Sequence, residues 1–402
     1  MKIAPFPALR PPPEFAARVA AVPYDTVDEA EARALTAGNP FSFLRVEKSE
    51  IEAPAGAAEA AAHERAAANL AWLQAQGALR REAAAALYVY RQQSGAHVQS
   101  GLTACCAVAD YEQGVIRKHE QTREDKERDR TGHIRRLNAH TGPVLLAYRG
   151  QPTIDRLAAE AAAGAPLLDF TADDGVRHTV WRCPDPAPFV AAFAAVPAAY
   201  IADGHHRAAA AANLARERRA RGGGAGEAEW FLGVLFPTAQ LRVLPIHRCV
   251  RDLNGLKPAA FLERVRRVFA VAPAARPEPP GRGHASLYLA GAWYDLSWAE
   301  PSAADPVARL DVSVLQDRLL APLLGIRDPR RDPRLEFVGG SRGVAALAAR
   351  VDSDQAAAAL ALAPITVEEI MAIADRGGIL PPKSTWFDPK LRSGLFVHTF
   401  DA

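Results

Sequence analysis

The segment Tyr200-Ile201-Ala202-Asp203-Gly204-His205-His206-Arg207, followed by the run Ala208 to Ala212, reads as a strand, a tight turn and the start of a helix. A strand that passes through a glycine into a helix places the helix N-terminus at the strand's end. Free backbone N–H groups and a partial positive charge collect there, so the turn suits an anion. His205, His206 and Arg207 crowd basic-capable side chains into that first turn, and His206 and Arg207 would add charge-assisted hydrogen bonds to phosphate oxygens. Asp203 could hold a divalent cation or orient a histidine. The plainer alternative is that Asp203 caps the helix and the histidines are surface polar groups.

Working outward, the chain alternates strands and helices without a regular strand–helix–strand rhythm, which argues for an α+β fold of mixed sheets with helices. Leu87 to Arg91 and Gly101 to Tyr111 read as an antiparallel pair joined at Ser94-Gly95, and Phe41 to Val46 alternates like a strand. Other strands are expected at 144–148, 176–182, 231–236, 242–246, 285–289 and 293–296. Helices are expected at 28–37 with Asp28 as N-cap, and at 57–76, 155–163, 189–195, 207–221, 258–268, 312–324 and 367–374. Leu70, Trp72 and Leu73 supply the apolar face of the second of these, and Gly222-Gly223-Gly224 ends the helix that follows the turn. A Pro, Gly and Arg-rich stretch at 272–283 reads as linker or exposed loop. With 402 residues, two packed domains are expected, 1–270 and 271–402, the C-terminal tail returning to the first.

Composition narrows the function. Net charge is +2, from 48 basic and 46 acidic residues, which removes the electrostatic basis for generic nucleic-acid binding. No apolar run reaches the length of a membrane span, and the N-terminus lacks the apolar core of a signal peptide. Cys105, Cys106, Cys183 and Cys249 form no C-x-x-C pair, which fits reduced thiols in a cytoplasm rather than zinc or disulfides.

Two further stretches carry candidate chemistry. The charged run from Lys118 to Arg130 contains His119-Glu120, and a glutamate beside a histidine could act as general base for a hydroxyl while Lys118 and Lys126 neutralise phosphoryl oxygens. A solvated helix face is the competing reading of that run. Arg123 stands four after His119, so no H-E-x-x-H zinc motif exists. Pro381-Pro382-Lys383-Ser384-Thr385 makes a stiff loop tipped with donors, suited to phosphate or to docking of a rigid tail. Gly339-Gly340-Ser341-Arg342-Gly343 is read as a plain turn. Asn39, Ser42 and Thr141 are candidates to line a substrate pocket.

Together, Pro23-Tyr24-Asp25, Asn39-Pro40-Phe41-Ser42-Phe43, His119-Glu120-Gln121-Thr122, Thr141-Gly142-Pro143, Tyr200 to Arg207 and Pro381 to Thr385 resemble a bacterial and archaeal family catalogued as a conserved domain of unknown function, over nearly the whole chain. The D-G-H-H-R turn is also similar to that of the ParB/sulfiredoxin superfamily and its free-serine kinases. That resemblance implies a ParB/sulfiredoxin-like core and a kinase making O-phosphoserine from ADP or pyrophosphate. It would put Gly204, His205, His206 and Arg207 on donor phosphates and Asp203 beside Mg²⁺. His205 stands where sulfiredoxins carry their cysteine, which excludes sulfinic-acid reduction, and no helix-turn-helix region of the ParB type is found. Glu120 as catalytic base, with His119, rests on the residues and not on the resemblance. The expectation is thus a cytoplasmic phosphotransferase on a small serine-like metabolite, without nucleic-acid or membrane partners and able to form a homodimer. A phosphoester hydrolase and a non-catalytic nucleotide-binding module are the alternatives.

Overall fold

The computed structural model describes residues 1–52, 58–222, 226–302 and 305–400. The expected helix start at Ala57 and the stop at Gly223-Gly224 lie outside the described residues. The chain forms two compact units, Met1–Leu241 with Pro389–Ala402, and Arg242–Asp388. The chain therefore crosses between units at Leu241/Arg242, upstream of the 270 boundary read from the sequence, and crosses back before Pro389.

In the first unit, β1 (Ile3–Ala4) precedes α1 (Pro13–Val19), α2 (Glu29–Thr36), α3 (Leu44–Glu47) and α4 (Glu59–Ala75). The hairpin β2 (Tyr88–Ser94) and β3 (His97–Ala107) runs into α5 (Val108–Glu112), β4 (Ile116–Arg117) and α6 (Glu124–Leu137). Then come β5 (Val144–Tyr148), α7 (Pro152–Ala161), β6 (Leu168–Thr171), β7 (Arg177–Arg182) and α8 (Ala187–Ala194). Last are β8 (Ala199–Asp203), α9 (His205–Ala220) and β9 (Trp230–Pro237). The nine strands make one sheet in the order β4-β8-β5-β9-β3-β2-β7-β6, with β1 beside β3. Pairing is mixed: β4–β8 and β5–β9 are parallel and the remaining pairs antiparallel. Helix α9 packs Ala208, Ala210, Ala211 and Ala212 into the core with Leu146, Ile201 and Leu235. Small side chains let helix and sheet approach closely, which explains an alanine-rich helix at the centre of a core.

The sequence pattern misleads at Phe41 to Val46. Phe43, Leu44 and Val46 are all buried, so no face is left to water and the alternation is not that of a half-exposed strand. The segment instead closes as α3 after a turn in which the Ser42 amide donates to the Asn39 carbonyl. On α4, Leu70 and Leu73 are buried but Trp72 faces outward, stacked obliquely on Phe41. The expected hairpin forms, with Ser94 opposite His97, but its second strand ends at Ala107 and Val108–Glu112 turns into helix α5, where strand was expected to Tyr111. Asp28 caps α2 through a capping box with Glu31.

The second unit holds β10 (Ile246–Val250), α10 (Pro258–Arg266), β11 (Ala270–Pro273), β12 (His284–Leu289), β13 (Ala292–Ser297) and α11 (Asp311–Leu315). It continues through β14 (Leu335–Gly339), α12 (Ala345–Asp352), β15 (Ala358–Leu362) and α13 (Val367–Asp375). Its six-stranded sheet is antiparallel in the order β11-β13-β12-β15-β10-β14. The helix expected over 312–324 is α11 followed by a π-turn segment, Gln316–Leu320. Part of the expected 272–283 linker is strand β11. Gly340 packs its Cα against Pro245, so the Gly339 to Gly343 turn is closely packed at its start and open to solvent over 341–343.

The returning tail is held to the first unit by backbone pairs at Leu9–Val397 and Ala21–Ser393. Gly394 is left-handed at φ +84, and a Cβ there would lie 2.6 Å from Phe43. We expect Gly394→Ala to cost on the order of 2–4 kcal/mol, from backbone strain plus overpacking, in chemical denaturation followed by fluorescence. An unchanged unfolding midpoint would contradict this seating of the tail.

Candidate functional site

The turn after β8 is built as the sequence suggests, but its side chains are placed differently. Gly204 is left-handed at φ +96 and is the N-cap of α9, so no side chain caps this sixteen-residue helix. The amides of the first turn therefore point out of an uncapped helix end. Asp203 is not the cap. Its carboxylate accepts from Lys390 Nζ at 3.1 Å, a residue supplied by the returning tail. Burial would raise the Asp203 pKa, but Lys390, Arg207 and His205 outweigh it and bring it down to about 2.

Arg207 turns beneath the loop. It is 8% exposed, donates to the Pro143 carbonyl, and runs along Gly204, where a Cβ would meet its guanidinium at 3.1 Å. Burial opposes its charge, while Asp25, Asp203, Tyr24 and Glu47 sustain it. The side chain thus braces the turn from below. His206 is half-buried and accepts from the Arg123 amide at 3.1 Å.

His119 and Glu120 reach the same place from the loop between β4 and α6. The His119 and His205 rings meet edge to face with centroids 4.4 Å apart, and the His119 amide donates to His205 Nε2 at 3.4 Å. Glu120 Oε2 stands 3.8 Å from His205 Nδ1, with its side chain 47% exposed. His119 is 1% exposed, and neither of its ring nitrogens finds a hydrogen-bond partner. Burial lowers its pKa to about 4 and pushes that of His205 well below the usual range, so both rings are neutral near pH 7.

The charged run divides accordingly. Residues 118–123 form the loop, and the helix-face reading applies only to α6. Lys118 is exposed near the Tyr111 ring, and Lys126 is exposed on α6. Thr141 lines a pocket with Glu47, Arg130, His133, Ile134, His140, Gly142 and Arg207. Asn39 and Ser42 are not among its lining residues; the Asn39 side chain is bonded to the Arg18 carbonyl and the Phe41 amide. Lys383, Ser384 and Thr385 belong to the second unit, where the Ser384 hydroxyl donates to the Pro381 carbonyl and the Lys383 carbonyl accepts from Arg248.

Sequence reading missed Lys390, Glu47 and Arg130. Glu47 is 3% exposed, with Oε1 unpartnered in the pocket wall. Arg130 bonds Asp129 and the Glu47 carbonyl and lies over the Tyr24 ring at 4.2 Å. The advance signals were that Lys390 follows Pro389 close to the Pro381 to Thr385 motif and that Arg130 closes the charged run from Lys118. All four cysteines are free and buried. Among the described residues, no helix is long and apolar enough to cross a membrane.

The sequence matches the family described as protein of unknown function, DUF1015, over residues 3–313. This chain belongs to that family. No curated protein matches it. Similar solved structures include a conserved hypothetical protein from Pyrococcus furiosus, 14% identical at TM-score 0.38, covering 73% of this DUF1015 chain and 94% of its own. A free serine kinase in complex with AMP is 13% identical at TM-score 0.39, covering 73% and 91%. SbnI from Staphylococcus aureus, with a C-terminal truncation, is 11% identical at TM-score 0.40, covering 74% and 87%.

The buried neutral histidines of this DUF1015 unit have a measurable consequence. Besides His119 and His205, burial is the leading cause that lowers His133 and His178 to about 3 and His140 well below its ordinary value. Between pH 6.5 and 4 the unfolded chain binds protons that these folded rings refuse, so stability falls as pH falls through that window. Each such ring contributes up to about 1.4 kcal/mol per pH unit. Denaturation at pH 7.5, 6.0 and 5.0 should show a steep loss of stability already at pH 6. A flat profile above pH 5 would show that the rings are not buried in neutral form.

Proposed function

We propose that this protein is a phosphotransferase acting on a small hydroxyl metabolite, built on a ParB/sulfiredoxin-like core, with free serine as the acceptor and ADP or pyrophosphate as the donor. The observation that carries the reading is Glu120, a half-exposed carboxylate 3.8 Å from the first side chain of a long helix that opens without a side-chain cap. A base and an anion cradle stand side by side, the two things phosphoryl transfer asks of a protein. The resemblance of the D-G-H-H-R turn to that of the free-serine kinases supplies the acceptor and donor classes.

In this reading the amides of His205, His206 and Arg207 receive donor phosphate oxygens at the helix N-terminus. Lys118 and Lys126 on the open side add positive charge as the donor approaches, while His206, whose pKa burial lowers, stays neutral and accepts from the Arg123 amide. Glu120 takes the proton of the acceptor hydroxyl. The hydroxyl oxygen forms a bond to phosphorus, the bond from phosphorus to the bridging oxygen breaks, and the leaving phosphate or AMP departs with that electron pair. Arg207 holds the loop in shape from below and does not touch the donor.

Mg²⁺ was expected at Asp203, and the residues there do not fit it. The carboxylate is already neutralised by Lys390 at 3.1 Å, so a cation would have to displace an ammonium. Among the described residues, the group whose ligand atoms lie close enough to hold a metal is Glu59, His63 and Asp129, which does not include Asp203.

Purified protein supplied with serine and, separately, pyrophosphate, ADP or ATP should form O-phosphoserine with at least one donor, read by ³¹P NMR or mass spectrometry. Glu120→Gln should lower kcat by roughly 10²–10⁴-fold while the donor Kd changes little. No phosphoserine with any donor, or full activity in Glu120→Gln, would remove this assignment. Free phosphate released without an acceptor would favour the hydrolase.

A further inference from the structure

We propose that His205 is a positioning residue that carries its proton on Nδ1 and uses it to orient the Glu120 carboxylate, and so does not serve as a phosphate ligand. The inference rests on Glu120 being the base of the proposed reaction, and adds a role that neither the turn's resemblance nor its helix-end position assigns.

The geometry fixes the tautomer. His205 is 5% exposed, wedged between the His119 ring, Asp203 and the loop that carries Glu120. The charged and titratable groups that act on it are His119, Asp203, His206 and Lys118, with Glu120 at the ring's Nδ1. A neutral imidazole has one N–H and one bare nitrogen. The backbone amide of His119 can only donate, and it donates to Nε2 at 3.4 Å. Nε2 is therefore the bare nitrogen, and the proton lies on Nδ1, the atom that faces Glu120 Oε2 at 3.8 Å. That separation closes to a hydrogen bond with a small rotation of a half-exposed side chain, as catalytic contacts commonly do when substrate arrives. A bare Nε2 aimed at a backbone amide has nothing to offer a phosphate oxygen, which leaves anion binding to the helix amides.

The assembly parallels the arrangement by which a backbone contact on one ring nitrogen sets the function of the other. It also explains why a histidine stands at the first helical position. A shorter donor could reach Glu120 only if its amide occupied the Nδ1 position, and a longer one would present its amide at Nε2. Asn and Gln at 205 therefore separate the two possible roles. In Asn the side-chain NH₂ mimics Nδ1–H; in Gln it mimics Nε2–H.

The test has two arms on the full chain. With ¹⁵N-histidine labelling of the wild type at pH 7.5, His205 should show a protonated Nδ1 and a bare Nε2, with the Nδ1 resonance moving in Glu120→Gln. A protonated Nε2, or an Nδ1 unmoved by Glu120→Gln, would overturn the proposal whether or not the protein turns over serine. In the second arm, with the donor that gives phosphoserine, His205→Asn should keep kcat within about 10-fold and His205→Gln should lose about 100-fold or more, with donor KM nearly constant in both. Gln retaining more than Asn, equal losses in the two, or a loss that falls on donor KM would overturn it. Absence of turnover in the wild type would sink the phosphotransferase reading alone, because the tautomer and its response to Glu120 are read without activity.

Discussion

The left-handed backbone at Gly204 is the constraint on which the first unit's site depends. It turns the end of β8 into α9 within one residue, so that Asp203 still belongs to the strand while His205 already belongs to the helix. At φ +96 a side chain would be strained, and a Cβ would also strike the Arg207 guanidinium at 3.1 Å. Glycine is thus required twice over, once by the backbone and once by the arginine that braces the loop from beneath. Without that sharp junction, the carboxylate, the imidazole and the free helix amides could not share one corner of the sheet.

Electrostatics at this corner is arranged by partition. Positive charge buried below the turn, on Arg207, is offset by the carboxylates of Asp25, Asp203 and Glu47, and Asp203 is further paired with Lys390. The histidines closest to the helix end are neutral because they are dry. The exposed lysines at 118 and 126 remain outside, where long-range attraction acts on an incoming anion.

Much of this was legible from local pattern. The strand–glycine–helix reading at 200–212, the hairpin across Ser94-Gly95 and the Asp28 cap all follow from short-range stereochemistry, which one sequence contains in full. What could not be read was long-range. Lys390 meets Asp203 across 187 residues, and Glu47 meets Arg130 across 83, distances over which no spacing rule operates. The unit boundary at 241 escaped notice because the chain leaves the first unit and returns to it at 389 with no compositional mark at either crossing. Phe41 to Val46 failed for a different reason. Its alternation is real, but Phe43, Leu44 and Val46 are all buried in one cluster with Phe41 partly buried against it, so period alone could not choose between strand and helix.

The tail gives the site a dependence that a fold-level description would miss. Pro389–Phe400 supplies Lys390 to Asp203, Arg392 to Asp174 and His178, and the Lys390 carbonyl to Gln92, all within the first unit. Arg392 is nearly fully buried, so its pairing with Asp174 commits the tail energetically: a guanidinium taken out of water must find its partners or the segment will not seat. A burial of that kind is cooperative with folding of the sheet rather than an optional addition to it. The lysine that neutralises Asp203 therefore arrives only when the segment from Pro389 onward has docked, and the site is completed by residues far along the chain from the turn itself.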